Sequence, residues 1–221
     1  MAELVLIRPG STDFDEQKRI QGALNLPLNS HGEQQVQEII DQLTGTKLDV
    51  IYTAPSEPAA STAKVIGETL GVAVKELSGL RNWDQGLWQG LKIDDIRRQY
   101  PKVIKQWKDC PENICAPEGE NVGEALERAC KALDKPLRKN RCFAVVASEP
   151  IATFMQCLLT GNKSDITGPI CAGGGKHEVV FIETNGMKSI DIESFASLTP
   201  APGGKKNGKQ NPIQTTHGSG D

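Results

Sequence analysis

Leu4-Val5-Leu6-Ile7, inside Glu3–Arg8, is an apolar run too short for a helix and nearly unbroken, as a strand covered on both faces requires. Further on the period changes. Val36, Ile39, Ile40 and Leu43 fall at helical spacing, in a helix that Ser30 and Glu33 open as a Ser-x-x-Glu capping box. A second strand is predicted at Asp49–Thr53. The next helix runs from about Pro58 to Leu70, with Pro58 in its first turn and Gly71 as the left-handed stop. A third strand lies near Val72–Leu77. Asn121 with Glu124 caps a helix whose buried stripe is Val122, Leu126, Ala129, Leu133 and Leu137. Cys142–Ala147 reads as a central strand and Pro150–Leu159 as a helix closed by Gly161. The segments HEVVFIE and KSIDIE flank Thr184–Met187, where Asn185-Gly186 predicts a type I′ hairpin and an antiparallel sheet edge.

This alternation predicts an α/β fold of three αβα layers, with a mostly parallel central sheet and one antiparallel edge strand. Residues 91–110 depart from it. They read as short helical pieces broken by Pro101, a small helical cap inserted over about 91–120.

Composition sharpens the outline. The chain has 221 residues, 38% hydrophobic and 24% charged, which suits one domain of ordinary size. Beyond Leu198 there are five Gly, three Pro, three Lys and no aromatic residue. Such a segment buries too little apolar surface to offset its ordering entropy. A disordered tail is expected at 198–221 and a folded domain at 1–197. Lys205, Lys206 and Lys209 against Asp221 give the tail a charge of +2, and the whole chain carries -3, so the domain is acidic. Neither nucleic acid nor an anionic membrane is an expected partner. The start lacks the basic flank and long apolar centre of a signal peptide, and no stretch is apolar enough for a membrane span. A cytoplasmic protein is expected.

Cys110, Cys115, Cys130, Cys142, Cys157 and Cys171 read as thiols, because a chain of this size needs no staples. The Cys110-x4-Cys115 spacing has no second pair or neighbouring histidine to support zinc.

In an open α/β sheet the functional crevice lies beyond the carboxyl ends of the strands, here at Arg8-Pro9-Gly10, Thr53-Ala54-Pro55 and Ser148-Glu149-Pro150. Around these points the sequence resembles a known family. LVLIRPGSTDFDEQKRIQGALNLPLNSHGEQQ, IYTAPSEPAASTA, LRNWDQGLWQG with IRRQYP, APEGEN and VVASEPIAT are similar, in order, to segments of the histidine phosphatase superfamily. That superfamily includes cofactor-dependent phosphoglycerate mutases and small phosphatases. The resemblance covers roughly residues 3–195 and implies a phosphoglycerate mutase-like fold. It also implies a chemistry in which one histidine takes the phosphoryl group, arginines and a second histidine cradle it, and an acid protonates the leaving oxygen.

Carried over residue by residue, the resemblance leaves Arg8 in the first arginine position. The nucleophilic histidine falls on Pro9, whose ring nitrogen is locked in an amide. A phosphate-binding asparagine falls on Asp15, the second arginine on Pro58, the proton donor on Asn82 and the second histidine on Ser148. His31, His177 and His217 lie at neither strand end, and structural roles are expected for the first two. Losing a nucleophile alone can cost about a millionfold in kcat.

Other chemistry at the strand exits competes with plainer roles. Asp13, Asp15, Glu57, Asp84 and Glu149 could form an acidic crevice for a hard cation, but solvated loop acids are the commoner case and no metal spacing supports a site. Ser148 beside Glu149 lacks a histidine to bridge them. Gly173-Gly174-Gly175 lacks the Lys-Ser/Thr ending of a phosphate loop. The expectation is therefore a catalytically inactive family member that works as a binding or scaffolding module, without cofactor or metal. Its partner is an unknown protein or small molecule. The alternative is an enzyme of altered, non-phosphohistidine chemistry built from Asp15, Asp84, Ser148 and Glu149.

Overall fold

β1 (Glu3–Arg8) and β4 (Cys142–Val146) run parallel at the centre of the sheet, with Ile7 opposite Val146. Leu4, Val5, Leu6, Ile7 and Phe143 to Val146 are all buried, so both faces are covered, as an unbroken apolar strand demands. The computed structural model describes residues 3–109, 114–140, 142–161, 177–184 and 186–191. Three further strands complete the sheet: β2 (Val50–Thr53), β3 (Val74–Glu76) and β5 (Glu178–Glu183). Their order is β3-β2-β4-β1-β5, parallel except for the β1–β5 edge pair.

The intervening helices are α1 (Asp13–Glu16), α2 (Ser30–Leu43), α3 (Ala59–Leu70), α4 (Ile93–Gln99), α5 (Pro101–Asp109), α6 (Val122–Lys139) and α7 (Ile151–Thr160). α2 packs beside α3, and α6 beside α7. The predicted stripes of α2 and α6 are buried throughout, which is how burial converts the helical period into packing. Gly71 and Gly161 close α3 and α7 in the left-handed conformation, with φ of 69° and 65°.

Three readings need adjustment. The N-cap of α2 is Asn29, whose side chain accepts from the Gly32 N–H at 2.8 Å. Ser30 lies inside the helix, so the cap falls one residue earlier than predicted and, with Gly32 at the third helical position, the Ser30–Glu33 box does not form. β3 is shorter than predicted, because at the sheet edge only three residues find a partner strand. Finally, β5 pairs with β1 as the antiparallel edge, and the Met187 N–H donates to the Thr184 carbonyl in a tight turn. Residues 187–191 after that turn form no strand, so the hairpin's second arm is not built over the part of it described. Asn185, Cys110, Cys171, the Gly173–Gly175 run, His217 and the segment 198–221 lie outside the described residues.

Among the described residues, Cys115, Cys130, Cys142 and Cys157 are free thiols. No helix there is long and apolar enough to cross a membrane.

Candidate functional site

The β1–β4 pairing brings the two strand exits side by side, with the Ala147 N–H donating to the Ile7 carbonyl at 3.1 Å. Pro9 and Ser148 follow immediately. Ser148 is buried and its carbonyl accepts from Ala152 N–H as α7 begins. The turn after β1 is pressed onto the start of α2. A Cβ on Gly10 would stand 2.3 Å from the Gly32 carbonyl oxygen, so only glycine allows this approach.

Arg8 is the best-connected side chain at these exits. It ends β1 directly across from Glu178, the first residue of β5. Its Nε donates to Glu149 Oε1 and its Nη1 to Glu178 Oε2. Nη2 donates to Thr153 Oγ1 at 3.0 Å and to Gln156 Oε1 at 2.6 Å. Thr153 and Gln156 stand three apart on α7, and therefore on one face. Four of the five guanidinium N–H groups are engaged by protein acceptors. Glu149 is also held by its own helix, accepting from Thr153 N–H at 3.3 Å and Thr153 Oγ1 at 3.0 Å.

The other predicted positions also find local partners. Asp15 turns back to Thr12, accepting from its N–H at 2.7 Å and its hydroxyl at 2.9 Å. Asp13 is exposed on the same short helix. Pro58 is buried as the N-cap of α3, and the preceding Glu57 accepts from the Ser61 hydroxyl at 2.6 Å. Asp84 accepts from Gly86 N–H at 2.9 Å. Among the described residues no group of three or more His, Cys, Asp or Glu could hold a metal ion. His31 is exposed on α2, and His177 pairs with Glu38 at 2.8 Å.

Asn82 is buried, and its amide nitrogen donates to the carbonyls of Gly22 at 2.9 Å and Glu149 at 2.7 Å. It ties the loop after β1 to the exit of β4. Its Oδ1 is buried and, among the described residues, has no hydrogen-bond partner. The backbone carrying Asn82 is clamped from behind by Arg128 of α6. That guanidinium donates to the carbonyls of Gly79, Arg81 and Asn82 at 2.6 to 2.9 Å and to both carboxylate oxygens of Glu120 at 2.7 Å. Burial pushes Glu120 up, but the Arg128 hydrogen bond and charge, with help from Arg81 and a backbone bond from Asp84, bring it below the usual carboxylate value.

Sequence reasoning located Arg8, Asn82, Ser148 and Glu149 but not Thr153, Gln156, Glu178, Glu120 or Arg128. One signal for the first two was present. They are polar residues at i and i+3 in the otherwise apolar stretch IATFMQCLL.

The family model described as histidine phosphatase superfamily (branch 1) matches residues 4–180. Phosphoserine phosphatase 1 of Hydrogenobacter thermophilus is 26% identical over 163 residues, which is 73% of this chain and 77% of that protein. A probable phosphoglycerate mutase, GpmB of Klebsiella pneumoniae, is 29% identical over 133 residues, 60% of this chain and 62% of its own length. The solved structure of Bacillus stearothermophilus YhfR superposes with a TM-score of 0.72 at 21% identity, covering 86% of this chain and 94% of that one. At that identity the likeness speaks for the fold.

Proposed function

The chain belongs to the histidine phosphatase superfamily, and we propose that it is a catalytically inactive member whose crevice serves as a binding or scaffolding surface. The observation that carries this reading is the state of Arg8. The one intact member of the phosphate-binding set donates to Glu149, Glu178, Thr153 and Gln156 instead of facing an open site. Two carboxylates against one guanidinium leave a local charge of -1, which repels a phosphate dianion. Pro9 has no nucleophilic nitrogen, and Ser148 has no imidazole to share the transferred charge.

Phosphoserine phosphatase and phosphoglycerate mutase activities, as the relatives' names describe them, are accordingly not expected. Glu149, held by Arg8 and Thr153, is not free to act as a base for Ser148, which argues against altered chemistry there. The test is turnover of phosphoserine, 3-phosphoglycerate and p-nitrophenyl phosphate by the full chain, with and without divalent metals, beside a search for acid-labile phosphoenzyme. No turnover and no phosphoenzyme are expected. Turnover abolished by Ser148→Ala or Arg8→Ala would overturn the reading.

A further inference from the structure

The four acceptors around Arg8 are not equivalent. Thr153 and Gln156 are fixed on α7. Glu149 has a side-chain exposure of 15% and is gripped from two sides, by Arg8 and by the Thr153 backbone and hydroxyl. Glu178 is different. Its side chain is 53% exposed, and among the described residues its carboxylate is held by Arg8 alone. Among the described residues, Glu178 is thus the acceptor through which Arg8 borders solvent. An ion pair with one half-exposed partner competes with water and salt, whereas a buried one is held by its surroundings.

We propose that Glu149 and Glu178 are built-in oxyanions for Arg8, one permanent and one displaceable, so that Glu178 makes an autoinhibitory contact. An external phosphate or carboxylate reaches the guanidinium only by ejecting Glu178. This deepens, and rests on, the reading that the crevice does not process phosphate. It assigns the closed state to an internal competitor as well as to the missing catalytic groups. Ejection exposes one edge of the guanidinium fork at Nη1, since Glu149, Thr153 and Gln156 retain Nε and Nη2. That edge can donate to a single oxyanion oxygen. The antiparallel β1–β5 register from Glu3–Glu183 to Arg8–Glu178 holds the strand by its backbone, so the Glu178 side chain can swing out without β5 leaving the sheet.

The experiment is calorimetric titration of inorganic phosphate into the full chain at low ionic strength, for wild type, Glu178→Ala and Glu178→Thr. The Arg8 Nε–H signal is followed by NMR. Both variants are expected to bind phosphate at least about tenfold more tightly than wild type, roughly 1.4 kcal/mol by the affinity relation, with the Arg8 signal shifting along the titration. The second variant keeps a residue suited to a strand, in case alanine loosens the edge. Folded variants whose phosphate affinity stays within twofold of wild type, or whose binding leaves the Arg8 signal unmoved, would overturn the proposal. Wild type binding as tightly as either variant would overturn it too. Wild-type turnover is a separate readout, and it would remove the inactive reading whatever the titration gives.

Discussion

Arg8 is a nearly buried cation. Its stability role follows from which partner is lost. Arg8→Met leaves the mostly covered Glu149 carboxylate without its counter-charge; breaking a fully buried pair costs about 3–5 kcal/mol, and the partial exposure of Glu149 places this variant towards the lower end. Glu178→Ala removes a half-exposed partner and should cost about 1 kcal/mol or less. Urea denaturation of the two variants checks the order, and equal losses would mean that Glu178 is as firmly held as Glu149. Asn82 presents the opposite imbalance. Its amide nitrogen is fully used while its Oδ1 has no partner among the described residues; a buried acceptor left so costs of the order of 1–3 kcal/mol. A residue placed by family resemblance at a proton-donor position has become a strut between two loops.

At the scale of elements, the strand exits depend on the close approach between the turn after β1 and the start of α2. An added Cβ on Gly32 would stand 2.1 Å from the Ser11 carbonyl oxygen, as one on Gly10 would crowd Gly32. Backbone atoms cannot move aside as a side-chain tip does. Gly32→Ala should therefore destabilise by about 1–3 kcal/mol or more, read as a lowered denaturation midpoint. Gly45→Ala meets nothing within 4 Å but holds φ at +89°, and serves as the purely conformational control. The clamp between α6 and the loop at 79–82 has a pH signature. Glu120 is lowered from 4.5 in the folded state, so its contribution is complete above about 4.5 and is lost as pH falls through the depressed folded value. Arg128→Met should lower the melting temperature at pH 7 by several degrees, and the gap from wild type should narrow below pH 4.5. A gap that stays constant down to pH 3 would place the Arg128 contribution in its carbonyl contacts alone. These helices were legible in the sequence because burial follows apolar spacing, as Val36 to Leu43 and Val122 to Leu137 illustrate. Caps were less so. Asn29 and Ser30 are both good N-cap residues, and only the backbone turn at Asn29 decides between them.

Across the whole molecule, the strand-exit residues could be named from the chain, but not how they are wired. Pro9 and Ser148 stand at the ends of β1 and β4, whose exits alternation of elements predicts, whereas Pro58 and Asn82 are singled out only through the family resemblance. The pairing of Arg8 with Glu178 depends on an antiparallel register between segments 170 residues apart, which no local spacing encodes. That wiring bears on repair. Groups that act as a catalytic unit are strongly non-additive, so one restored member recovers little. Pro9→His supplies a nucleophile with no second imidazole, no second arginine and an Arg8 still engaged by carboxylates. It should show no phosphatase activity above background and no acid-labile phosphoenzyme. Adding Ser148→His, Pro58→Arg and Asn82→Glu should still leave phosphate binding weak until Glu178→Ala frees Arg8. The order of these steps is the discriminating measurement: vanadate affinity and p-nitrophenyl phosphate turnover are followed as the substitutions accumulate. Activity in the single Pro9→His variant would show that Arg8 turns readily to substrate, and that the carboxylates beside it do not close the crevice.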